Sequence, residues 1–493
     1  MPYLSEDKIA SIVERVVSRL QQGETRVPLY TPAEETSAAT PRATQAKWSQ
    51  PAAVRHAGAG RGVFTDLDAA VDAARLAFQR YSSMGLELRY KVVAEMRREA
   101  HKHVDLISKM AVDETGLGRF DQKQLKNRLV IDKTPGPEIL VPWAQSGDDG
   151  LTLEEYAPYG VIGAITPTTN PSETIICNGI GMVAAGNAVV FNGHPGAKRT
   201  SATTVSLLND AIVRAGGPEN LLACVAEPTI ETAQKLMRHA GTRIIVVTGG
   251  PAVVKEAMTS GKKVIAGGPG NPPVVVDDSA DLETAADGIV RGVSLDNNIV
   301  CTAEKEIIAV ASIADRLQAL LVKHGAYKLS PEECGRVEKV VLDGDHPNKK
   351  WVGKDALLIL REAQVNAPQG TLIAFADVPE PHPFVQVELL MPVTGLVRVA
   401  DVREAIHTAV RVEHGCCHTA VMYSKNIENL HNMARAVNTT IFSKNAPSFA
   451  GLGLGGEGYT SFTIASPTGE GMTNAKHFSR MRRCMLKDYF RIV

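Results

Sequence analysis

Seven cysteines stand at positions 177, 224, 301, 334, 416, 417 and 484, and one of them has neighbours that could make it a nucleophile. Cys301, in SLDNNIVCTAEKEIIAV, follows a polar Asp296-Asn297-Asn298 turn and precedes a stretch that reads as a short helix leading into a strand. A thiol at a helix N-terminus has a lowered pKa and attacks carbonyl carbon more readily. Any single cysteine is more often buried and inert, so the weight rests on its company. Asn170 lies in ITPTTNPSET, in a Pro-bounded turn right after the apolar run GVIGAIT. At the carboxyl end of a strand its amide can face a substrate oxyanion, although asparagine also occupies turns for purely conformational reasons. The third feature is RIIVVTGGPAVVKEA: a strand, then Thr248-Gly249-Gly250, then Pro251 at a first helical position. Glycines there let a cofactor phosphate approach a helix N-terminus.

Other motifs carry less. Gly451, Gly453 and Gly456 spell GxGxxG, but no strand feeds the motif and Tyr-Thr-Ser-Phe-Thr follows in place of a helix, so a flexible active-site loop is expected over a dinucleotide fingerprint. No GxxxxGK[ST] occurs. His414, Cys416, Cys417 and His418 crowd like metal ligands, yet adjacent cysteines chelate one tetrahedral zinc poorly and no second pair stands at the usual spacing. Ordinary packing is expected there, and no metal. The sequon at Asn438 reads as chance.

The elements that must position these residues follow from the apolar pattern. With 493 residues the chain should hold two or three domains. Its 53 basic and 54 acidic residues, net −1, exert no global pull on nucleic acid or anionic lipid, and 44% hydrophobic residues exclude wholesale disorder. No apolar run is long enough to span a bilayer, and the N-terminus lacks a secretory pattern. An odd, scattered set of cysteines suits a reducing cytoplasm. From about Val63, apolar runs at 160–166, 187–192, 221–226, 243–249, 262–267 and 272–278 alternate with helical stretches, which predicts an α/β fold with doubly wound parallel sheets. Ligands in such folds sit at strand carboxyl ends. Ahead of all this, Ile9, Ile12, Val13, Val16, Val17 and Leu20 form the apolar stripe of a helix over 5–20, capped by Ser5. Residues 21–62 read as a flexible linker. Such a helix either docks back on its own domain or a sister subunit, or tethers the chain to another protein surface. Membrane attachment is disfavoured, because the polar face is not markedly basic and the stripe lacks Trp and Phe.

In this order and spacing the motifs resemble the aldehyde dehydrogenase superfamily, over nearly everything from residue 63 onward. ITPTTNP stands where the family has its Pro-Trp-Asn turn, VTGG at its Phe-Thr-Gly-Ser turn, Gly267-Gly268 at its Glu-Leu-Gly-Gly region, Cys301 at its nucleophile and VELLMPVTG at its Glu-x-Phe-Gly-Pro segment. The resemblance implies Cys301 and Asn170 as catalytic residues, with Thr166, Pro167, His194, Thr248, Gly249, Gly250, Gly267 and Glu388 around NAD, Glu388 on the nicotinamide ribose. It also implies two α/β domains, nucleotide-binding (63–125 and 157–264) and catalytic (265–473), and a β oligomerisation flap (126–156 and 474–493) making dimers or tetramers.

The departures are as informative. Hydrolytic members carry a glutamate just before the double glycine to activate water, whereas here no acidic residue occurs between Glu256 and Asp277. The usual adenosine-ribose lysine is replaced by His194. Both changes resemble the CoA-acylating branch, which implies CoA as co-substrate and a small aldehyde, propionaldehyde before acetaldehyde. Members of that branch in bacterial microcompartments carry short N-terminal extensions, so residues 5–20 are expected to engage a shell protein. A hydrolytic enzyme with a relocated base, or a cargo protein with a vestigial site, are the rival expectations.

Overall fold

Five of the apolar runs become strands of one sheet, buried on nearly every residue, as a parallel sheet covered on both faces requires. The computed structural model describes residues 61–493; the expected helix over 5–20, and all but the last two residues of the expected linker, lie outside the described residues. The first sheet runs Val63–Phe64, Leu222–Val225, Ala188–Asn192, Val161–Ile165, Ile244–Thr248, Lys263–Gly267, all neighbours parallel. The chain steps outward on one side of Val161–Ile165, then crosses to its other side for Ile244–Thr248. That reversal opens a crevice at the strands' carboxyl ends.

The sixth run, Pro273–Val276, is central in a second parallel sheet. Its order is Ala326–Lys328, Ile373–Asp377, Val393–Val399, Glu306–Val310, Pro273–Val276, Thr419–Tyr423, Ile441–Lys444. Side chains alternate between its two covered faces: Val275 and Ile308 enter one core, Val274, Val276, Ile307 and Ala309 the other. Local chemistry starts the helices. Proline occupies the first turn of Pro171–Ala184, Pro251–Met258 and Pro331–Val341, where its missing N–H costs nothing.

Trp143–Gly147, Gly150–Pro158 and Ser479–Lys487 form a separate antiparallel sheet with little burial along its outer strands. Residues 126–133, expected in the flap, instead complete the helix Phe120–Lys133, because Leu129, Val130 and Ile131 are core residues. The stretch from Phe449 to Phe478 also differs from the expected domain plan. Phe449, Leu452, Phe462, Ile464, Ala475 and Phe478 pack into the core of the first sheet, not the second. No described helix is long and apolar enough to cross a membrane.

Candidate active site

Four neighbouring strands of the first sheet end at the residues assigned to a nucleotide. Thr166 and Pro167 follow Val161–Ile165, His194 follows Ala188–Asn192, Thr248-Gly249-Gly250 follows Ile244–Thr248, and Gly267 closes Lys263–Gly267. Gly249 N–H donates to the Gly267 carbonyl at 3.1 Å, which binds the two turns together. Gly250 precedes Pro251–Met258 with no side-chain cap, so the helix's first N–H groups are open to an anion. The Oγ atoms of Thr166 and Ser201 are buried without partners, and a Cβ on Gly193 would stand 2.7 Å from Ser201 Oγ. Orphaned hydroxyls and a glycine floor at the switch crevice fit a dinucleotide. His194 is exposed as a residue, its Nδ1 accepting Gly196 N–H at 3.0 Å, and partial desolvation of the ring lowers its pKa. Thr248 Oγ1 is engaged with Thr463 Oγ1 at 2.7 Å.

Cys301 stands five residues before Glu306–Val310 of the second sheet and packs against the core of the first. The helix expected after it does not form: residues 301–305 are turn and coil leading straight into Glu306–Val310. Its thiol is accordingly not activated by a helix terminus. Burial pushes it up to about 12, Glu388 adds to the rise, and Lys305 and Lys126 oppose it. The polar turn before it is more unusual than its sequence announces. Asp296, Asn297 and Asn298 all have left-handed backbone, φ 46°, 54° and 67°, which Asn and Asp tolerate best among side-chain-bearing residues. Each is held. Asp296 Oδ1 accepts Arg119 N–H at 2.7 Å. Asn297 Nδ2 donates to the Gly353 carbonyl and to Asp355. Asn298 Nδ2 donates to the Val293 and Glu304 carbonyls. Buried Lys305 then clamps Asn298, at 3.0 Å to its carbonyl and 2.5 Å to Oδ1.

Asn170 is buried at the start of Pro171–Ala184, a helix with all fourteen residues buried. Its Oδ1 accepts from Lys126 Nζ. Lys126 also pairs with Asp296 at 2.5 Å and Glu173 at 3.2 Å, and Lys123 pairs with Asp296 at 3.1 Å while donating to the Thr169 carbonyl. Burial opposes the Lys126 charge, but the two carboxylates hold it above the usual lysine range. Burial likewise opposes the Asp296 charge, and the two ammonium groups outweigh it.

Gly270 joins the remaining groups. A Cβ there would lie 2.8 Å from His418 Cγ and 3.2 Å from the Cys301 carbonyl oxygen, and its backbone N–H is near enough to Glu388 to favour the charged carboxylate. Burial raises Glu388 to about 7, against the pull of Lys305. His418 is fully buried, its Nε2 without a partner, and burial with nearby Lys305 lowers it to about 4. At neutral pH it is an uncharged imidazole and a weak base. Glu304, the nearest carboxyl in sequence, is occupied by Ser448 N–H at 2.8 Å and its hydroxyl at 2.9 Å.

Sequence patterns do not mark Lys126, Lys123, Asp296, Glu173, Lys305 or His418 as functional. His418 belongs to the crowded His/Cys segment expected to serve packing; its contact with Gly270, which also faces the Cys301 carbonyl, places it at the site. No group of residues able to hold a metal occurs among the described residues. In the glycine-rich loop the carbonyls of Gly453 and Gly456 accept from Lys133 Nζ, an arrangement that receives a cation and does not cradle a phosphate. All seven cysteines are unpaired.

Residues 49–331 match the model described as the aldehyde dehydrogenase family. The chain is 49% identical over 452 residues to acetaldehyde dehydrogenase (acetylating) EutE of Salmonella typhimurium, covering 90% of this chain and 96% of that one. It is also similar to the structure of Rhodopseudomonas palustris propionaldehyde dehydrogenase with bound CoA and an acylated cysteine, with TM-score 0.85 and 50% identity over 87% of this chain and 98% of that one. The propionaldehyde dehydrogenase of the Clostridium phytofermentans fucose utilisation bacterial microcompartment gives TM-score 0.87 and 44% identity over 88% and 100%.

Proposed function

The chain belongs to the aldehyde dehydrogenase family, and from that premise we propose that it oxidises propionaldehyde to propionyl-CoA with NAD, through a thioester on Cys301. Attack of the Cys301 thiolate on the aldehyde carbon forms the C–S bond and moves the carbonyl pair onto oxygen. Asn170 Nδ2 and the Cys301 backbone N–H take that oxyanion, each such donor being worth about 3 kcal/mol in the transition state. NAD held in the crevice would supply the hydride acceptor that lets the oxyanion collapse to the thioester. Thr166, Pro167, His194, Gly249, Gly250 and Gly267 shape the crevice that would hold it, Thr248 braces that crevice from Thr463, and Glu388 would hold the nicotinamide ribose. The CoA thiolate then attacks the thioester carbon and Cys301 departs as thiolate.

One observation carries the choice of CoA over water. The segment from residue 257 to 276 contains no carboxylate, and Gly270 within it lies against the Cys301 carbonyl. Water without a placed base loses roughly 10²–10⁴-fold, while a thiol is already a good nucleophile. The CoA and acylated cysteine named for the Rhodopseudomonas palustris structure support this reading. Similarity to EutE supports acetaldehyde as a second substrate. The microcompartment named for the Clostridium phytofermentans enzyme supports encapsulation, with residues 5–20 engaging a shell protein, and the exposed antiparallel sheet supports assembly into dimers or tetramers.

The test is NADH formation from propionaldehyde with and without CoA, the product identified by mass. NADH that depends on CoA, with propionyl-CoA formed, is the expected result. Equal rates without CoA, yielding propionate, would mean that a water-activating base exists elsewhere in the site.

A further inference from the structure

An oxyanion donor at Asn170 must meet a geometric demand. A carboxamide donates from one end only, so a half-turn of the group would meet the oxyanion with lone pairs. Asparagine at an N-cap ordinarily turns its oxygen onto the helix's own first N–H groups. Asn170 occupies the N-cap of Pro171–Ala184 and makes no such bond. Its Oδ1 accepts from Lys126 Nζ, and its Nδ2 donates one hydrogen to Thr169 Oγ1 at 3.2 Å, which leaves the other free. An ammonium has donors and no acceptor, so only Oδ1 can face it. Lys126 in turn is fixed by Asp296 and Glu173, and all three side chains are at most 1% exposed. With both carboxylates against it the buried charge is compensated, as a buried charge must be. Asp296 belongs to the left-handed turn that leads to Cys301, so a single ammonium touches both the amide and the segment bearing the thiol.

Given the oxyanion role proposed for Asn170, on which this rests, we infer that Lys126 is a positioning residue: its ammonium, braced by Asp296 and Glu173, holds the Asn170 carboxamide with Nδ2 turned toward the oxyanion that forms at Cys301. The rival role is a direct electrostatic effect of Lys126 on the thiol, and the two separate in a mutant cycle. Turnover of propionaldehyde with NAD and CoA is measured for the full chain carrying N170A, K126M or both, together with the rate at which iodoacetamide labels Cys301. K126M leaves two buried carboxylates against one ammonium, so the charge-balanced pair K126M/E173Q is carried through the same cycle and decides the matter where K126M does not fold.

N170A is expected to lower kcat by about 10²-fold, as loss of an oxyanion donor does. K126M should lower kcat about tenfold or more, with KM for NAD and CoA changed less than about twofold. In the N170A background K126M should alter kcat by less than about twofold, the non-additivity of residues acting as one unit. Labelling of Cys301 loses only the small pull of Lys126 on the thiol and should fall far less than kcat. Equal losses with and without Asn170, or labelling that falls in step with kcat, overturn the inference. Full turnover in N170A removes the oxyanion reading itself, whereas a normal K126M beside a crippled N170A removes only the role of Lys126.

Discussion

At the scale of single residues the site is governed by burial more than by helix termini. The residues around Cys301 predict a lowered thiol; burial, with Glu388 nearby and no helix behind it, pushes it up to about 12. In the ligand-free protein its labelling by iodoacetamide should therefore climb about tenfold per pH unit from neutrality upward, since only the thiolate reacts. A plateau near pH ~8.5, the ordinary cysteine value, would show that the thiol is not suppressed. Glu388 gives the opposite kind of handle. Burial raises it to about 7, so it carries a proton below that pH and a charge above it. A carboxylate accepts from ribose hydroxyls better than a carboxylic acid does. KM for NAD is thus expected to fall as pH rises through about 7, and E388Q should raise KM and remove that dependence. A KM indifferent to pH in the parent enzyme would detach Glu388 from the ribose.

At the scale of elements, the decisive piece is the Asp296-Asn297-Asn298 turn and the helix Phe120–Lys133 that meets it. The turn's polarity is legible in the sequence, but its handedness is not, because a left-handed run is fixed by partners outside it, the distant Arg119, Gly353 and Asp355 and the nearer Glu304 and Lys305. Lys123 and Lys126 are illegible for the same reason. In QKQLKNRL two lysines look like a solvated face, and only the fold brings them against Asp296 and Glu173 from elsewhere in the chain. The sharpest mutational probe of this joint is Gly118. It has φ +73° and a Cβ there would fall onto the Asp296 carboxylate. Gly118→Ala adds left-handed strain to that clash and should cost about 2 kcal/mol or more, read as a drop of a few degrees in the thermal midpoint. Because the displaced carboxylate is the one bracing Lys126, kcat should fall at temperatures where the variant is still folded. A destabilised G118A with unchanged kcat would mean that the turn supports the fold and not the chemistry.

At the scale of the molecule, the first sheet is readable because its buried strands are nearly unbroken apolar runs, and the crevice follows from where ligands sit in such sheets. Of the second sheet only Pro273–Val276 is readable, since strands such as Glu306–Val310 and Val393–Val399 carry polar residues. The return of Phe449–Phe478 to the first core is not readable, since its buried residues are spaced without helix or strand period. The antiparallel sheet is placed by resemblance, and its surface supplies a physical reason for association. Ser479–Lys487 is paired on one side only, to Gly150–Pro158. Met481, Met485 and Leu486 are exposed along it, and Trp143 is exposed on the strand at the opposite edge. An unpaired edge on which exposed apolar side chains stand among Arg480, Arg482 and Arg483 is a template for a second copy. Met481 and Met485 stand four residues apart on one strand and therefore share a face. Replacing both by Glu should weaken self-association by at least about tenfold, seen by light scattering on a size-exclusion column as a shift toward the monomer. The crevice and Cys301 lie outside the three strands of this sheet, so Cys301 labelling should be unchanged in the same variant. A double Glu variant that elutes as the parent at every concentration would assign assembly to another surface.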